Sequence, residues 1–250
     1  MNTEYYKYWS GILSREVEFK VYGWGGVPVL FIPCQGGRFY DFENFGMLDC
    51  WRGRIEAGKC TIFSIDTIDN ETYADANGNP RRRTEQHERW YNSVISETVP
   101  KIKEISRRMN GYDSMICTFG CSLGGLHAAN FFFRRPDIFR GTLALSGVFD
   151  SGYYFGDYMD DILYNNSPTV YLSGMPAEHP YIKIYGERKI IAAVGQGAWE
   201  EQTLASTRRL DRVLAEKGIR ASINYWGFDV NHDWNWWFLM VDTYADELLS

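Results

Sequence analysis

The residues of this chain best suited to chemistry lie in the sequence Gly-Cys-Ser-Leu-Gly, residues 120–124. The pattern G-x-S-x-G forms a tight turn that lifts a serine hydroxyl above a sheet, provided that a strand precedes it and a helix follows. Here a strand-like apolar run, Ser114–Phe119, precedes the motif, and a helix-like run from Leu123 to Arg135 follows it. We therefore predict that Ser122 is a nucleophile in acyl chemistry and that the backbone N–H of Leu123 stabilises the oxyanion.

A serine nucleophile needs a base, which in this arrangement is a histidine that comes later in the chain. Three histidines follow Ser122, namely His127, His179 and His232. His232 comes soon after the last strand-like run and is the predicted base, whereas His179 lies in a long loop and is predicted to be a surface residue. Of the other two histidines, His127 lies five residues after Ser122 in the helix-like run and is predicted to lie on a helix face, and His87, which precedes Ser122, is predicted to be structural.

The acid that orients the histidine should follow the preceding strand, which we place at Lys189–Val194. The loop after that strand carries Glu200 and Glu201. We prefer Glu200, because Glu201 suits the first turn of the next helix, where the helix dipole favours a carboxylate. Asp150, which follows the strand before, is a third candidate.

A second oxyanion donor is expected in the loop Pro33–Arg38, which follows another strand-like run and contains two adjacent glycines. Glycines allow the backbone to come close to the nucleophile. The N–H of Gln35 is our first choice for this donor and that of Gly36 the alternative. An ordinary loop turn is the competing interpretation.

These candidates depend on a sheet that brings distant loops together. Short, nearly continuous apolar runs are typical of buried parallel strands, and they occur at Val27–Ile32, Thr61–Ile65, Ser114–Phe119, Gly141–Leu145, Lys189–Val194 and Ala221–Trp226. A further β segment is expected within Gly11–Val21. Helical periodicity lies between the runs, over residues 90–105 and 204–214. This alternation predicts an α/β fold, with a mainly parallel sheet covered by helices on both faces and a site at the carboxyl ends of the strands.

Length and composition favour one domain. The chain has 250 residues, 45% of them hydrophobic, which is sufficient for one large core. We find no repeat or linker and predict a single domain over residues 1–250, in which residues 150–185 form an insertion rich in tyrosine that could cap the site. Plain packing of an irregular segment is the alternative for this insertion.

The charge of the chain excludes some partners. A formal net charge of −6 argues against a nucleic-acid binder, which needs a basic face. The one compact basic run, Arg81–Arg83, is predicted to be a solvated loop. No apolar stretch is long enough for a membrane helix, and the first ten residues do not resemble a secretory signal. Five cysteines without metal-like spacing indicate reduced thiols in a cytoplasmic protein, with no metal site and no cofactor.

At these residues the chain resembles the esterase D-like esterases of the α/β-hydrolase superfamily. That family also holds S-formylglutathione hydrolases, feruloyl esterases, enterochelin esterase-like enzymes and mycolyltransferases. The resemblance runs from about Gly26 to Leu249 and rests on residues 33–37, 119–130 and 231–237, the last being Asn-His-Asp-Trp-Asn-Trp-Trp. Two positions depart from the usual pattern: the acid is often Asp, and Pro33-Cys34 replaces a common His-Gly.

The resemblance implies an α/β-hydrolase with Ser122 as nucleophile, His232 as base and Glu200 as acid, and with Gln35 and Leu123 as oxyanion donors. It implies a serine esterase that acts on a small-molecule ester. Two alternatives stay open, an acyltransferase on the same scaffold and a catalytically silent binding protein. The sequence also leaves open a homo-oligomer and the identity of the ester.

Overall fold

Nearly continuous apolar runs form most strands of one eight-stranded sheet. The computed structural model describes residues 1–250. In chain order the strands are β1 (Thr3–Ser10), β2 (Arg15–Tyr22), β3 (Val27–Ile32), β4 (Cys60–Ile65), β5 (Ile116–Cys121), β6 (Phe139–Leu145), β7 (Lys189–Val194) and β8 (Ser222–Tyr225). They are ordered β1-β2-β4-β3-β5-β6-β7-β8 across the sheet. Only the β1–β2 and β2–β4 pairs are antiparallel, so the predicted mainly parallel α/β architecture is confirmed.

The amino-terminal edge of the sheet differs from the prediction. The expected β segment Gly11–Val21 is wrong in its first part, because residues 11–14 form the turn of a hairpin between β1 and β2. Strand β1 was not predicted. Its residues alternate between exposed and half-buried positions, as in an edge strand with one solvated face, so it contains no continuous apolar run.

The helices are numbered in chain order. They are α1 (Asp41–Asn44), α2 (Met47–Glu56), α3 (Pro80–Ser93), α4 (Val99–Asn110), α5 (Leu123–Arg134), α6 (Gly152–Phe155), α7 (Asp161–Asn165), α8 (Pro168–Gly174), α9 (Pro180–Gly186), α10 (Glu201–Glu216) and α11 (Trp234–Leu249). A π-helical segment, Val94–Thr98, joins α3 to α4, and a short 3₁₀ turn occupies Asp69–Glu71. No helix combines the length and the apolar character needed to cross a membrane.

The basic run Arg81–Arg83 is not a solvated loop, as predicted, but the first turn of α3. The Asn79 side chain caps this helix by accepting from the N–H of Arg82, a cap that strongly favours helix initiation. Arg83 is buried and donates to three backbone carbonyl oxygens, those of Thr72, Tyr73 and Tyr154. Arg83 therefore contributes to the packing between α3 and the segments beside it, whereas Arg81 and Arg82 are exposed.

Helices cover both faces of the sheet, as predicted. Along β3, Leu30 and Ile32 face the side covered by α3, α4, α5 and α10, whereas Val29 and Phe31 face the side covered by α2 and α11. Since both sides of β3 are buried, its sequence has no polar alternation.

The predicted insertion, residues 150–185, lies between β6 and β7 and forms the four short helices α6–α9. Phe155 and Leu163 from this insertion pack with Leu123 and Leu126 in the first turns of α5. The insertion thus contacts the start of the helix that follows Ser122, and its role as a cap stays a prediction.

The turn from β5 into α5 leaves no room for side chains on its glycines. A Cβ added to Gly120 would lie 2.2 Å from the carbonyl oxygen of Gly124. A Cβ added to Gly124 would lie 2.3 Å from the carbonyl oxygen of Ile32 and 2.4 Å from that of Pro33. The turn is therefore in backbone contact with the end of β3, which places the Ser122 loop against the Pro33–Arg38 loop.

We predict that Gly124→Ala destabilises the protein by about 1–3 kcal/mol, because the added methyl group meets backbone atoms that cannot move separately. The matched control is Gly53→Ala in α2, where an added Cβ meets nothing within 4 Å and is expected to stabilise by about 0.5–1 kcal/mol. Urea unfolding measures the free energy of unfolding of both variants. Equal effects of the two substitutions would contradict the close approach at Gly124.

Candidate active site

Ser122 lies at the carboxyl end of β5 in a strained backbone conformation. Its φ is 57° and its ψ is −128°, in a region that residues other than glycine rarely adopt. Its N–H donates to the carbonyl oxygen of Leu145 at 2.8 Å, which fixes the turn to β6. The Ser122 side chain projects from this turn toward the loop that follows β8.

The structure brings Ser122, His232 and Glu200 together. The Nε2 atom of His232 lies 2.8 Å from the Oγ of Ser122, and its Nδ1 atom lies 3.2 Å from an Oε of Glu200. The carboxylate can only accept, so Nδ1 carries a proton and Nε2 is free to accept from the serine hydroxyl. This is the hydrogen-bonding order of a nucleophile, its base and the group that orients the base.

Glu200 is fully buried and its carboxylate is well supplied with donors. One oxygen accepts from the Ser146 hydroxyl at 2.6 Å and from the N–H of Gly195 at 3.4 Å. The other oxygen, which faces His232, also accepts from the hydroxyl of Thr203. Hydrogen bonds of this kind offset the cost of burying a charge.

The ring of His232 is held by its own loop and by α11. Its backbone N–H donates to the carbonyl oxygen of Ala198 at 3.0 Å, which joins the His232 loop to the Glu200 loop. The Asn231 side chain accepts from the Ala198 N–H at 2.8 Å. Trp237 meets the imidazole edge to face, with ring centroids 4.9 Å apart. These contacts leave the ring little freedom to turn away from Ser122.

The other candidates for the acid and the base lie elsewhere. Glu201 is exposed in the first turn of α10, as expected. Asp150 forms an ion pair with Arg209 at 3.1 Å. His179 accepts from a backbone N–H at the start of α9, and neither His127 nor the buried His87 contacts Ser122.

The two backbone N–H groups that the sequence predicts as oxyanion donors are not used by the protein itself. The N–H groups of Leu123 and Gln35 donate to no acceptor within the protein. The N–H of Gly36, the alternative donor, is already bound to Asp69 at 3.0 Å. The hydrogen-bond pattern therefore favours Gln35 over Gly36.

Two thiols flank the site without competing with the serine. Burial raises the pKa of Cys34 to about 12 and that of Cys121 well above its usual value. A thiol is a nucleophile only as thiolate, so both remain protonated and weakly reactive at neutral pH. No group of three or more histidine, cysteine or acidic side chains is arranged to hold a metal ion.

Sequence reasoning missed two residues, Ser146 and Thr203, that donate to Glu200. Ser146 directly follows β6 at the same sheet edge, with φ 48°, and it accepts from the indole N–H of Trp237 at 3.1 Å while it donates to Glu200. Thr203 donates to the same carboxylate. Only the position of Ser146 at the end of a strand-like run could have suggested a role for it.

Comparisons with known proteins agree with this architecture. No family model matches the chain, and no curated protein matches it. A ferulic acid esterase superposes with a TM-score of 0.74 at 13% identity, over 99% of this chain and 97% of that one. An S-formylglutathione hydrolase from Agrobacterium tumefaciens superposes with a TM-score of 0.69 at 16% identity, over 99% of this chain and 92% of that one. FphF, a fluorophosphonate-binding serine hydrolase from Staphylococcus aureus, superposes with a TM-score of 0.67 at 15% identity, over 100% of this chain and 98% of that one.

At these identities the similarity establishes the fold. The chain has the α/β-hydrolase fold that the sequence predicted. The matching structures include an S-formylglutathione hydrolase and a ferulic acid esterase, two of the groups in the esterase family that the sequence resembles.

We predict that Ser146→Ala destabilises the protein by about 1–3 kcal/mol, because it leaves the buried indole N–H of Trp237 without an acceptor and leaves one oxygen of Glu200 with only the 3.4 Å contact to the N–H of Gly195. Ser96→Ala, at an exposed serine without a side-chain hydrogen bond, is the control and should change stability by less than about 0.5 kcal/mol. Thermal unfolding of both variants tests this. A Ser146 variant as stable as the wild type would contradict the proposed network.

Proposed function

We propose that this protein is a serine esterase that cleaves a carboxylic ester through an acyl-serine intermediate. The observation that carries the proposal is the 2.8 Å contact between Ser122 Oγ and His232 Nε2, with Glu200 bound to the opposite ring nitrogen. A histidine in that position can take the serine proton as the oxygen attacks a carbonyl carbon.

In the proposed acylation step, Ser122 attacks the ester carbonyl while His232 accepts its proton. The resulting imidazolium lies against the buried carboxylate of Glu200, which stabilises it and keeps the proton on Nδ1. The N–H groups of Leu123 and Gln35 bind the oxyanion of the tetrahedral intermediate. His232 then protonates the leaving alcohol, and the acyl group remains on Ser122.

In the second half of the reaction, His232 activates water, which attacks the acyl-serine and releases the acid. An alcohol in place of water would make the protein an acyltransferase, and addition of alcohols to the ester assay separates the two activities. The esterases and the fluorophosphonate-binding hydrolase among the matching structures support serine hydrolase chemistry for this fold. The cytoplasmic location stays a prediction.

We expect a fluorophosphonate probe to label the wild-type protein on Ser122, because the probe reacts with activated serines. Ser122→Ala should lose the label and lower kcat on p-nitrophenyl esters by about 10⁶-fold or to the limit of detection. Ser96 is distant from Ser122 in sequence and makes no side-chain hydrogen bond, so Ser96→Ala should retain both the label and the wild-type kcat. An unlabelled wild type, or a label that persists in Ser122→Ala, would refute the proposed function.

Glu200→Gln should lower kcat by about 10⁴-fold, since an amide cannot accept from all the donors around it and no longer stabilises the imidazolium. Glu201→Gln, one position further on and exposed, is the matched control and should be as active as the wild type. Steady-state kinetics on the same ester, with near-ultraviolet circular dichroism to verify folding, compares the two. Equal activity of both variants would exclude Glu200 as the acid.

A further inference from the structure

The turn that carries Gln35 is bound to a buried carboxylate behind it. The N–H of Gly37 donates to the carbonyl oxygen of Cys34 at 2.8 Å, and Gly36 has φ +68°. A positive φ at the third residue of such a turn is a property of type II turns. The N–H of Gly36 points out of the turn and donates to an Oδ of Asp69 at 3.0 Å. This bond holds the central peptide plane of the turn in one orientation.

Asp69 is in turn held by a histidine on the nucleophile helix. Its other Oδ lies 3.0 Å from Nε2 of His127, and the side chains of Asp69 and His127 are only 2% and 1% exposed. His127 lies one turn after Leu123 on α5. The rings of Tyr73, His87 and Trp90 surround its imidazole, with centroid distances of 5.0–5.3 Å.

A buried chain of hydrogen bonds, Gly36–Asp69–His127, therefore connects the two elements that carry the free N–H groups. One end holds the turn of Gln35, and the other end is fixed to the helix that begins with Leu123. Both donors must lie about 2.7–3.1 Å from the developing oxyanion to stabilise it. An error of about 1 Å in such positions can cost a factor of about 10² in rate.

We propose that Asp69 is a positioning residue for the oxyanion hole: held by His127, it fixes the N–H of Gln35 relative to that of Leu123. This inference rests on the proposed esterase function. A buried carboxylate is costly, and here its two bonds run to the turn of one donor and to the helix of the other. An apolar residue of similar size could fill the same volume without orienting the turn.

Asp69→Ala should lower kcat by about 10²–10³-fold, the cost of losing one oxyanion donor, with KM unchanged. Asp69→Asn retains an acceptor for Gly36 and should recover much of the loss. His127→Phe keeps a ring within its aromatic surroundings but releases Asp69, and should lower kcat by about 10–10²-fold. Because both residues act through one link, the double variant Asp69→Ala/His127→Phe should be no slower than Asp69→Ala alone.

A second measurement separates positioning from loss of structure. Phenylboronic acid forms a tetrahedral adduct on an active-site serine, so its Ki should rise in step with the fall in kcat/KM. Kinetics are expressed per active site, counted by fluorophosphonate titration. Glu88→Gln is the control, because Glu88 binds Arg134 at the far end of the same helix at 2.7 Å. It should lower the melting temperature and leave kcat and Ki unchanged.

The outcomes distinguish this inference from the proposed function. A wild type without Ser122-dependent hydrolysis refutes the esterase proposal itself. An active wild type together with an Asp69→Ala variant of unchanged kcat and Ki overturns only the positioning role. If Asp69→Ala does not fold, kcat and the Ki of phenylboronic acid are measured on His127→Phe instead. Wild-type values of both quantities in that variant overturn the inference.

Discussion

The whole site depends on the close approach of the β5–α5 turn to the end of β3. A Cβ on Gly124 would lie 2.3 Å from the carbonyl oxygen of Ile32, so the two backbones are in direct contact. This contact places Ser122 and the Leu123 N–H beside the Gln35 turn before any side chain contributes. Loops after β6, β7 and β8 then reach the same point, because neighbouring parallel strands end at one edge of the sheet.

Around that fixed point, two buried carboxylates have comparable arrangements. Glu200 accepts from Ser146 and Thr203 and orients His232, whereas Asp69 accepts from Gly36 and His127. Each carboxylate joins loops from different strands through hydrogen bonds in a medium of low dielectric, where such bonds are strong and their geometry is well defined. In the proposed reaction, the first orients the proton acceptor and the second orients an oxyanion donor.

The sequence could predict those parts of the fold in which local pattern and burial agree. Strand β3 matches the apolar run Val27–Ile32, and α5 matches the helix-like run after Ser122 to within one residue. Strand β1 was not predicted because only one of its faces is half-buried, so its sequence contains no continuous apolar run. The burial of Arg83 was not predicted because the carbonyl oxygens that accept from it belong to segments outside α3. For the same reason, Asp69 and Ser146 could not be identified: their roles arise from contacts between elements, which a single sequence does not display.

Backbone strain is concentrated where this chemistry is proposed. Four residues other than glycine have positive φ, namely Ser14, Ser122, Ser146 and Trp199. The last three follow β5, β6 and β7, and each lies in or next to the hydrogen-bonded group of Ser122, His232 and Glu200.

Such conformations cost about 1–3 kcal/mol each, and a glycine at these positions would avoid most of that cost. The chain instead retains hydroxyl groups at 122 and 146, where one contacts His232 and the other binds Glu200. Three strained residues at one edge of the sheet are therefore better explained by selection for this hydrogen-bonded arrangement than by the requirements of the turns alone.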